Sequence, residues 1–427
     1  MNPARKHLAV VGGGWAGLAA AVEASARGHQ VTLFEMAPQL GGRARSVADA
    51  DAMLDNGQHI MIGAYRETLR LMRLVGADPD QLLLRLPLTL RYPDGGGLQL
   101  PPGAPLLAFA RGVLACRRWP LTARGELLMH AMGWLARSFS CPADFTVDRL
   151  TRALPIAVRE DLIEPLCVAA LNTPASHASA TVFLRVLKDG LFSGPGSADL
   201  LLPRAPLSRL LPEPAQQWLQ RQGAQLRLGE RAASLARGPG HWLLDGAPFD
   251  AVVLACSASE AARLAKPLAP SWARAAANLH YEPIITAYLR CEGARLERPM
   301  TALRAGPQAP AQFVFDLGAL GLQPGRFAFV VSGAAEWVSR GLDACGEAVC
   351  RQAQDAFPSG TWPGAPRLLR VLAEKRATFA CTPQLARPAA LVAEGLVAAG
   401  DYIEGPYPAT IEGAVRSGVA AAHALAR

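Results

Sequence analysis

The stretch LAVVGGGWAGLAAAVEASARGHQVTLFE, Leu8–Glu35, decides the fold. It reads as strand, glycine turn, helix, turn, strand. The apolar run Leu8–Val11 leads directly into Gly12, Gly14 and Gly17, a G-x-G-x-x-G spacing. Gly12 permits the tight turn, Gly14 lets a pyrophosphate come up to the backbone, and Gly17 lets the helix pack closely on the strand. The helix N-terminus then offers free N–H groups and the positive end of its dipole to the phosphates. Glu35 closes the second strand 18 positions after Gly17, where an acid meets the ribose hydroxyls of an adenosine. Strand, helix and acid together make this a dinucleotide site rather than a bare glycine turn.

The chain has 427 residues, which suits two intimately joined domains better than one core. With 51% hydrophobic and 18% charged residues it is neither disordered nor a polyelectrolyte. The net charge of +8 comes mostly from scattered arginines, with no lysine run and no basic–aromatic interleaving, so nucleic acid is not an expected partner. A basic surface does suit an anionic membrane face or a diphosphate-bearing lipid. Eight scattered cysteines form no C-x-x-C and no zinc pattern, so no metal is expected. Cys345 and Cys350 have the C-x4-C spacing of some redox-active disulfides, but their segment ACGEAVCRQAQDAF reads as a helix far from the fingerprint. The scatter predicts reduced thiols and a cytoplasmic protein. Arg5 and Lys6 before an apolar run imitate a signal peptide, yet cleavage near Ala24–Ala26 would destroy the fingerprint. No uninterrupted apolar run reaches 18 residues, so no transmembrane helix is expected.

Gly41, Gly42 and Arg43 follow the second strand; paired glycines let backbone pass a ligand, and the arginine can meet a phosphate or a flavin carbonyl. In LDNGQHIMIGAYRETLRLMRLVG, Asp55–His59 reads as a turn into a short strand and Tyr65–Val75 as an amphipathic helix. Gly57 again permits close backbone approach. His59 is either a satisfied core histidine or a flavin-proximal group. LTLRYPDGGGLQL reads as a hairpin. Residues 101–140 give one or two apolar helices broken at Pro120, with Phe109, Trp119, Met129 and Trp134 among Arg111, Arg117, Arg118 and Arg124. That mixture suits a monotopic membrane contact, the mouth of a lipid channel, or an ordinary helical subdomain with a buried face. Val147–Leu191 reads as helical, with Ser176 or Ser179 as a cap.

Gly194–Gly196 begins no second nucleotide fingerprint, so a built-in nicotinamide site is not expected. Residues 210–262 return to α/β character, with two or three strands before the buried strand Ala251–Cys256, and Ala232 placed where a backbone amide meets an adenine. Strand runs in Tyr281–Val331 and Gly341–Arg376, around one helix, predict a second domain with an antiparallel sheet. Glu374 and Lys375 stand near the end of its last strand. The chain closes with LVAAGDYIEGPYPATIEGAVRSGVAAAHALA: strand, Gly400-Asp401, a Gly/Pro loop, and a helix from about Ala409–Thr410. There an acid suits a ribityl hydroxyl, and the helix amides suit a flavin carbonyl.

The fingerprint, the GGR turn and the terminal GD-loop-helix together resemble the FAD-dependent amine oxidase and phytoene desaturase superfamily. LDNGQH, EKRATFACTP and AGDYIEGPYPATIEGAVRSG resemble more narrowly the squalene-associated FAD-dependent desaturase group, whose members act as hydroxysqualene dehydroxylases. The resemblance implies an α/β Rossmann-like FAD-binding domain of glutathione reductase type, residues 1–77, 198–272 and 377–427, with an interleaved α+β substrate domain, 78–197 and 273–376. It implies that Gly12, Gly14 and Gly17 bind the FAD pyrophosphate, Glu35 the adenosine ribose, and Gly42 and Arg43 the pyrophosphate–flavin side; Gly57, from its own turn, is a further cofactor-binding candidate. Ala232 would meet adenine, Asp401 the ribityl–pyrophosphate region, and Thr410 and Ile411 the flavin ring. No cysteine stands in the terminal loop, so the FAD is expected to be non-covalent.

The implied reaction is reductive removal of an allylic hydroxyl from hydroxysqualene, with hydride passing from reduced flavin to an allylic cation. His59, Glu374, Lys375 and Glu404 are the candidate proton donors or oxygen ligands. An isoprenoid lipid substrate, an external electron donor or reductase, squalene-pathway synthases and peripheral contact with the inner membrane face are the implied partners. A carotenoid-type desaturase, an amine oxidase and a non-catalytic FAD- and lipid-binding escort remain open beside it.

Overall fold

The computed structural model describes residues 5–49 and 52–425. The fingerprint stretch folds as a strand His7–Val11, a helix Trp15–Ala26 and a strand Gln30–Glu35. Val10 pairs in parallel with Leu33 on one side and Val253 on the other. A strand with parallel neighbours on both sides and both faces covered must be apolar throughout, which is why Leu8–Val11 lacks alternation. The sheet has six strands, in the order Gln225–Leu228, Gln30–Glu35, His7–Val11, Ala251–Leu254, Leu396–Ala398 and Leu391–Ala393. The first five run parallel, and the last closes an antiparallel hairpin. Segments from the start, middle and end of the chain thus share one sheet, whose strand ends converge on one edge.

The helix Trp15–Ala26 is built of small residues because it is wedged between this sheet and the terminal helix Ile411–Leu425. A Cβ on Gly418 would stand 2.1 Å from the Ala16 carbonyl oxygen, so the two helices touch backbone to backbone. Chain ends 400 residues apart are thereby held as one unit around the site.

A five-stranded antiparallel sheet forms the second layer, in the order Met300–Ala302, Phe313–Asp316, Arg326–Val331, Tyr281–Arg290 and Arg367–Phe379. Two helices follow it where one was expected: Ala335–Arg340 and Leu342–Ala356 are separated by Gly341 in a left-handed conformation (φ +103°). The second carries Cys345 and Cys350, and all eight cysteines are free thiols. Burial pushes the Cys345 thiol up to about 11, the opposite of a reactive cysteine. Between residues 225 and 249 there are four strands rather than two or three: Gln225–Leu228 joins the large sheet, and Leu235–Arg237, Trp242–Leu244 and Ala247–Phe249 form a small antiparallel sheet.

The region read as apolar helices breaks at Pro120 into Pro105–Ala115 and Leu121–Ala136. Its aromatics point inward: Trp119, Trp134 and Phe109 are core residues. Two of its arginines are also spent inside the protein. Arg118 pairs with the buried Asp161 at 3.0 Å, and Arg124 donates to the carbonyls of Trp119 and Leu114 at 2.8 Å each. Arg304, just after the strand Met300–Ala302, reaches the same Asp161 at 2.6 Å, so this buried carboxylate fastens the helical region to the second layer. Ser179, not Ser176, caps the helix Ala180–Phe192 by accepting from the Val182 N–H.

Candidate functional site

One cavity of about 690 Å³ runs from the fingerprint turn into the second layer. Its first end is backbone. Gly12 is left-handed (φ +110°), and a Cβ there would lie 2.6 Å from the Ala255 carbonyl oxygen. A Cβ on Gly17 would sit 1.8 Å from the Gly12 oxygen. Gly14 differs: a Cβ there meets nothing nearer than 3.8 Å, so this glycine faces open space, as approach by a pyrophosphate requires. Gly14 also caps the helix without any side-chain bond, leaving the first-turn N–H groups to a ligand.

Glu35 is buried at this wall and accepts from the Gly13 N–H at 2.7 Å and the Ala37 N–H at 2.8 Å. It fixes the glycine turn while remaining at the cavity surface. Gly42 packs on Gly14, and a Cβ there would come within 3.1 Å of the Gly14 Cα. Ala232 lines the same end; its carbonyl is taken by Arg263 at 2.5 Å, and its N–H has no acceptor among the described residues.

Arg43 ties the elements together. It donates to the Ala377 carbonyl at 2.6 Å and to Asp401 at 2.5 Å, and its own carbonyl accepts from Asn56 at 3.0 Å. Burial opposes its charge, but the carboxylates of Asp401 and Glu374 outweigh that and hold the guanidinium protonated. The GGR turn, the DNGQH turn, the EKRATF strand and the terminal GD-loop therefore meet at one residue. Thr410 caps the terminal helix, accepting from the Gly413 N–H at 2.9 Å. The Ile411 N–H has no acceptor among the described residues, and Thr410 and Ile411 both line the cavity. Two buried wall groups also lack partners, Tyr402 Oη and Arg45 Nε. Unpaired donors at a helix start, an open glycine and orphaned buried polar atoms are what a bound dinucleotide would satisfy, so these residues fit FAD.

Beyond Arg43 the walls become apolar: Leu88, Leu90, Leu166, Val186, Leu200 and Phe313 are among them. Polar atoms are few here. His59 is half-buried with its open side to the cavity, and burial together with Arg43 pushes its pKa down to about 4. Thr286, on the strand Tyr281–Arg290, is 1% exposed, and its hydroxyl has no partner. The two lie on either side of Gly57 (φ +105°), whose missing Cβ would be 3.8 Å from His59 Nε2 and 3.9 Å from Thr286 Oγ1. Ile284 pairs with Glu374 and Thr286 with Leu372 across two strands, and all four side chains line the cavity. Glu374 accepts from Asn56 at 3.3 Å and from the Arg376 N–H at 3.2 Å.

Two candidates lie elsewhere. Lys375 is exposed, because strand alternation that turns Glu374 inward turns its neighbour outward. Glu404 is exposed on the terminal loop and lines no part of the cavity. Thr286, Tyr402, Arg45 and Asn172 are cavity residues that sequence reasoning missed. Asn172 is left-handed (φ +48°) and locks two layers, donating to Thr378 at 3.0 Å and accepting from the Gly333 N–H at 2.7 Å. Among the described residues no group of three or more His, Cys, Asp or Glu side chains could hold a metal ion, and no helix is long and apolar enough to cross a membrane.

The chain is similar, over 98% of its length and 97% of theirs, to proteins named hydroxysqualene dehydroxylase from Sinorhizobium fredii and Rhodopseudomonas palustris, each at 29% identity. Its fold matches an oxidoreductase from Methanosarcina mazei with a TM-score of 0.73, covering 98% of this chain and 100% of that one at 15% identity. Residues 15–426 match the family described as flavin containing amine oxidoreductase. A cofactor site assembled from both ends of the chain and a family match spanning nearly all of it lead to one conclusion: this protein belongs to the flavin containing amine oxidoreductase family and is an FAD-dependent oxidoreductase.

Proposed function

We propose that this flavoenzyme converts hydroxysqualene to squalene by reductive loss of an allylic hydroxyl. The observation that carries the reading is the full-length similarity to two hydroxysqualene dehydroxylases. The cavity supports it: beyond the FAD-binding end its walls suit a long hydrocarbon, and a few polar atoms stand ready for one hydroxyl. Reduced FAD, when bound, supplies the hydride.

The protein's residues have three tasks. Apolar walls hold the chain and exclude water that would otherwise capture a cation. His59 and Thr286 grip the leaving oxygen. With its pKa down at about 4 the imidazole is neutral near pH 7, so it acts as a hydrogen-bonding group rather than a proton store. The proton that turns the departing hydroxyl into water is drawn from solvent and relayed by the Glu374 carboxylate, at the same wall and steered by Asn56. The balance is R–OH plus a proton and a hydride, giving R–H and water. Electrons come from an external donor or reductase.

The test is product analysis after anaerobic incubation of the pre-reduced holoenzyme with hydroxysqualene. Squalene is expected. Unchanged hydroxysqualene would sink the reading. Reduction of oxidised enzyme by phytoene, or peroxide release with amines, would move it to a desaturase or an amine oxidase.

A further inference from the structure

Exposed large apolar side chains are not spread evenly over this protein. Of the 14 with substantial exposure among the described residues, seven fall between residues 106 and 135, on the two helices already described: Leu106, Leu107, Leu114, Leu121, Met129, Met132 and Leu135. On Leu121–Ala136 the spacing of Leu121, Met129, Met132 and Leu135 follows helical periodicity, so they lie along one side. Exposure along this surface reaches 59% at Leu107, 74% at Leu121 and 64% at Met129. Such a concentration marks a contact surface.

Charge indicates the partner. Residues 101–140 contain five arginines and a single acid, Glu126. Arg118 and Arg124 are bound internally, but Arg111, Arg117 and Arg137 are exposed and make no ion pair among the described residues. Leucine and methionine flanked by unpaired arginines match the boundary between acyl chains and anionic headgroups. The buried sides of the same helices supply the third observation. Phe109, Leu127 and Trp134 line a small, wholly apolar void. Leu88, Leu166, Leu187 and Leu191 line both that void and the main cavity. The outward apolar surface and the substrate cavity are thus separated by one layer of helix.

We propose that the helices Pro105–Ala115 and Leu121–Ala136 dock on an anionic lipid bilayer and form the door through which a lipid passes from the membrane into the cavity. This deepens the proposed function and rests on it for the identity of the lipid. The docking itself does not, since it can be measured without any substrate.

The experiment is co-sedimentation of the FAD-loaded protein with vesicles of phosphatidylcholine alone or with about 30% phosphatidylglycerol. The protein is expected to sediment with the phosphatidylglycerol vesicles and to be released as salt rises to about 0.5 M. The double substitution L107D/M129D, at solvent-exposed positions, is expected to weaken partitioning at least about tenfold while flavin content and melting temperature stay unchanged. L391D, at an equally exposed leucine elsewhere, is expected to leave binding intact. Failure of the unsubstituted protein to bind either vesicle, or equal binding by L107D/M129D, would overturn the docking. A dimer in light scattering that L107D/M129D splits would assign the surface to a second copy and overturn it too. Docking lost in L107D/M129D while the soluble enzyme makes no squalene would fault the proposed substrate, not the surface.

Discussion

Replacing Thr286 by valine separates a residue kept for function from one kept for stability. Valine has nearly the same shape and the same β-branching, so the strand and its pairing with Val330 and Leu372 should persist. The residue is 1% exposed, and its buried hydroxyl bonds nothing among the described residues. A buried hydroxyl without a partner costs about 1–3 kcal/mol in desolvation, so removing it should leave the ligand-free fold as stable or more stable. If that hydroxyl instead grips the substrate oxygen, its loss removes one neutral hydrogen bond. At about 0.5–1.5 kcal/mol this predicts a fall in kcat/KM of roughly 2- to 12-fold. The assay pairs thermal unfolding of the flavin-free protein with initial rates of the reduced enzyme on hydroxysqualene. A rate that falls while the melting temperature holds or rises is the expected result. An unchanged rate, or a clear loss of stability, would refute the assignment; a changed flavin content with an unchanged rate would assign the hydroxyl to the cofactor instead.

Other substitutions probe the cofactor site and the titrating groups. G17A should abolish FAD retention, because the added methyl would lie 1.8 Å from the Gly12 oxygen; flavin content after gel filtration checks it. D401A should weaken FAD retention, since it frees Arg43 from its 2.5 Å partner at the meeting point of four segments, and E35A should do the same by releasing the Gly13 N–H; full flavin occupancy in either would contradict the site. Two groups titrate over overlapping pH ranges with opposite sign. Burial, with Arg43, lowers His59 to about 4, so the unfolded chain binds more protons between about 4 and 6.5 and stability rises with pH. Burial raises Asp55 to about 6, so the folded chain binds more protons between about 4 and 6 and stability falls with pH. Relative to the unsubstituted protein, H59Q should therefore make the change of melting temperature with rising pH between about 4 and 6 more negative, and D55N should make it more positive; identical slopes in both variants would refute the two assignments.

The cofactor half of the site was legible because its signal is local. A glycine fingerprint works through backbone geometry over six residues, and the open space at Gly14 and the absence of space at Gly12 and Gly17 are what that spacing encodes. Arg43 and Asp401 were each readable from a glycine beside a charge, but not their 2.5 Å contact, which depends on sheet order. The substrate half was mostly hidden. A threonine in PIITAYLR looks like any strand threonine until Gly57 and His59 are brought opposite it by tertiary folding. Glu374 and Lys375 could not be separated by alternation alone, because Val371 and Ala373 on the Lys375 side pack in the core of the second layer, so both faces of the strand carry apolar residues. In residues 101–140 the composition shows an apolar and basic segment, but not which of its residues face out. The tryptophans that suggested a membrane face are buried, and leucine and methionine occupy the surface.

The most direct test of the account is a single turnover in deuterated water. Holoenzyme reduced anaerobically and equilibrated in deuterated water, so that the exchangeable flavin N–H carries deuterium, is mixed with hydroxysqualene while flavin absorbance is followed and the product is analysed by mass spectrometry. The expected result is one squalene carrying one deuterium for each flavin reoxidised. Squalene without deuterium, or reduced flavin that persists in the presence of hydroxysqualene, would contradict it.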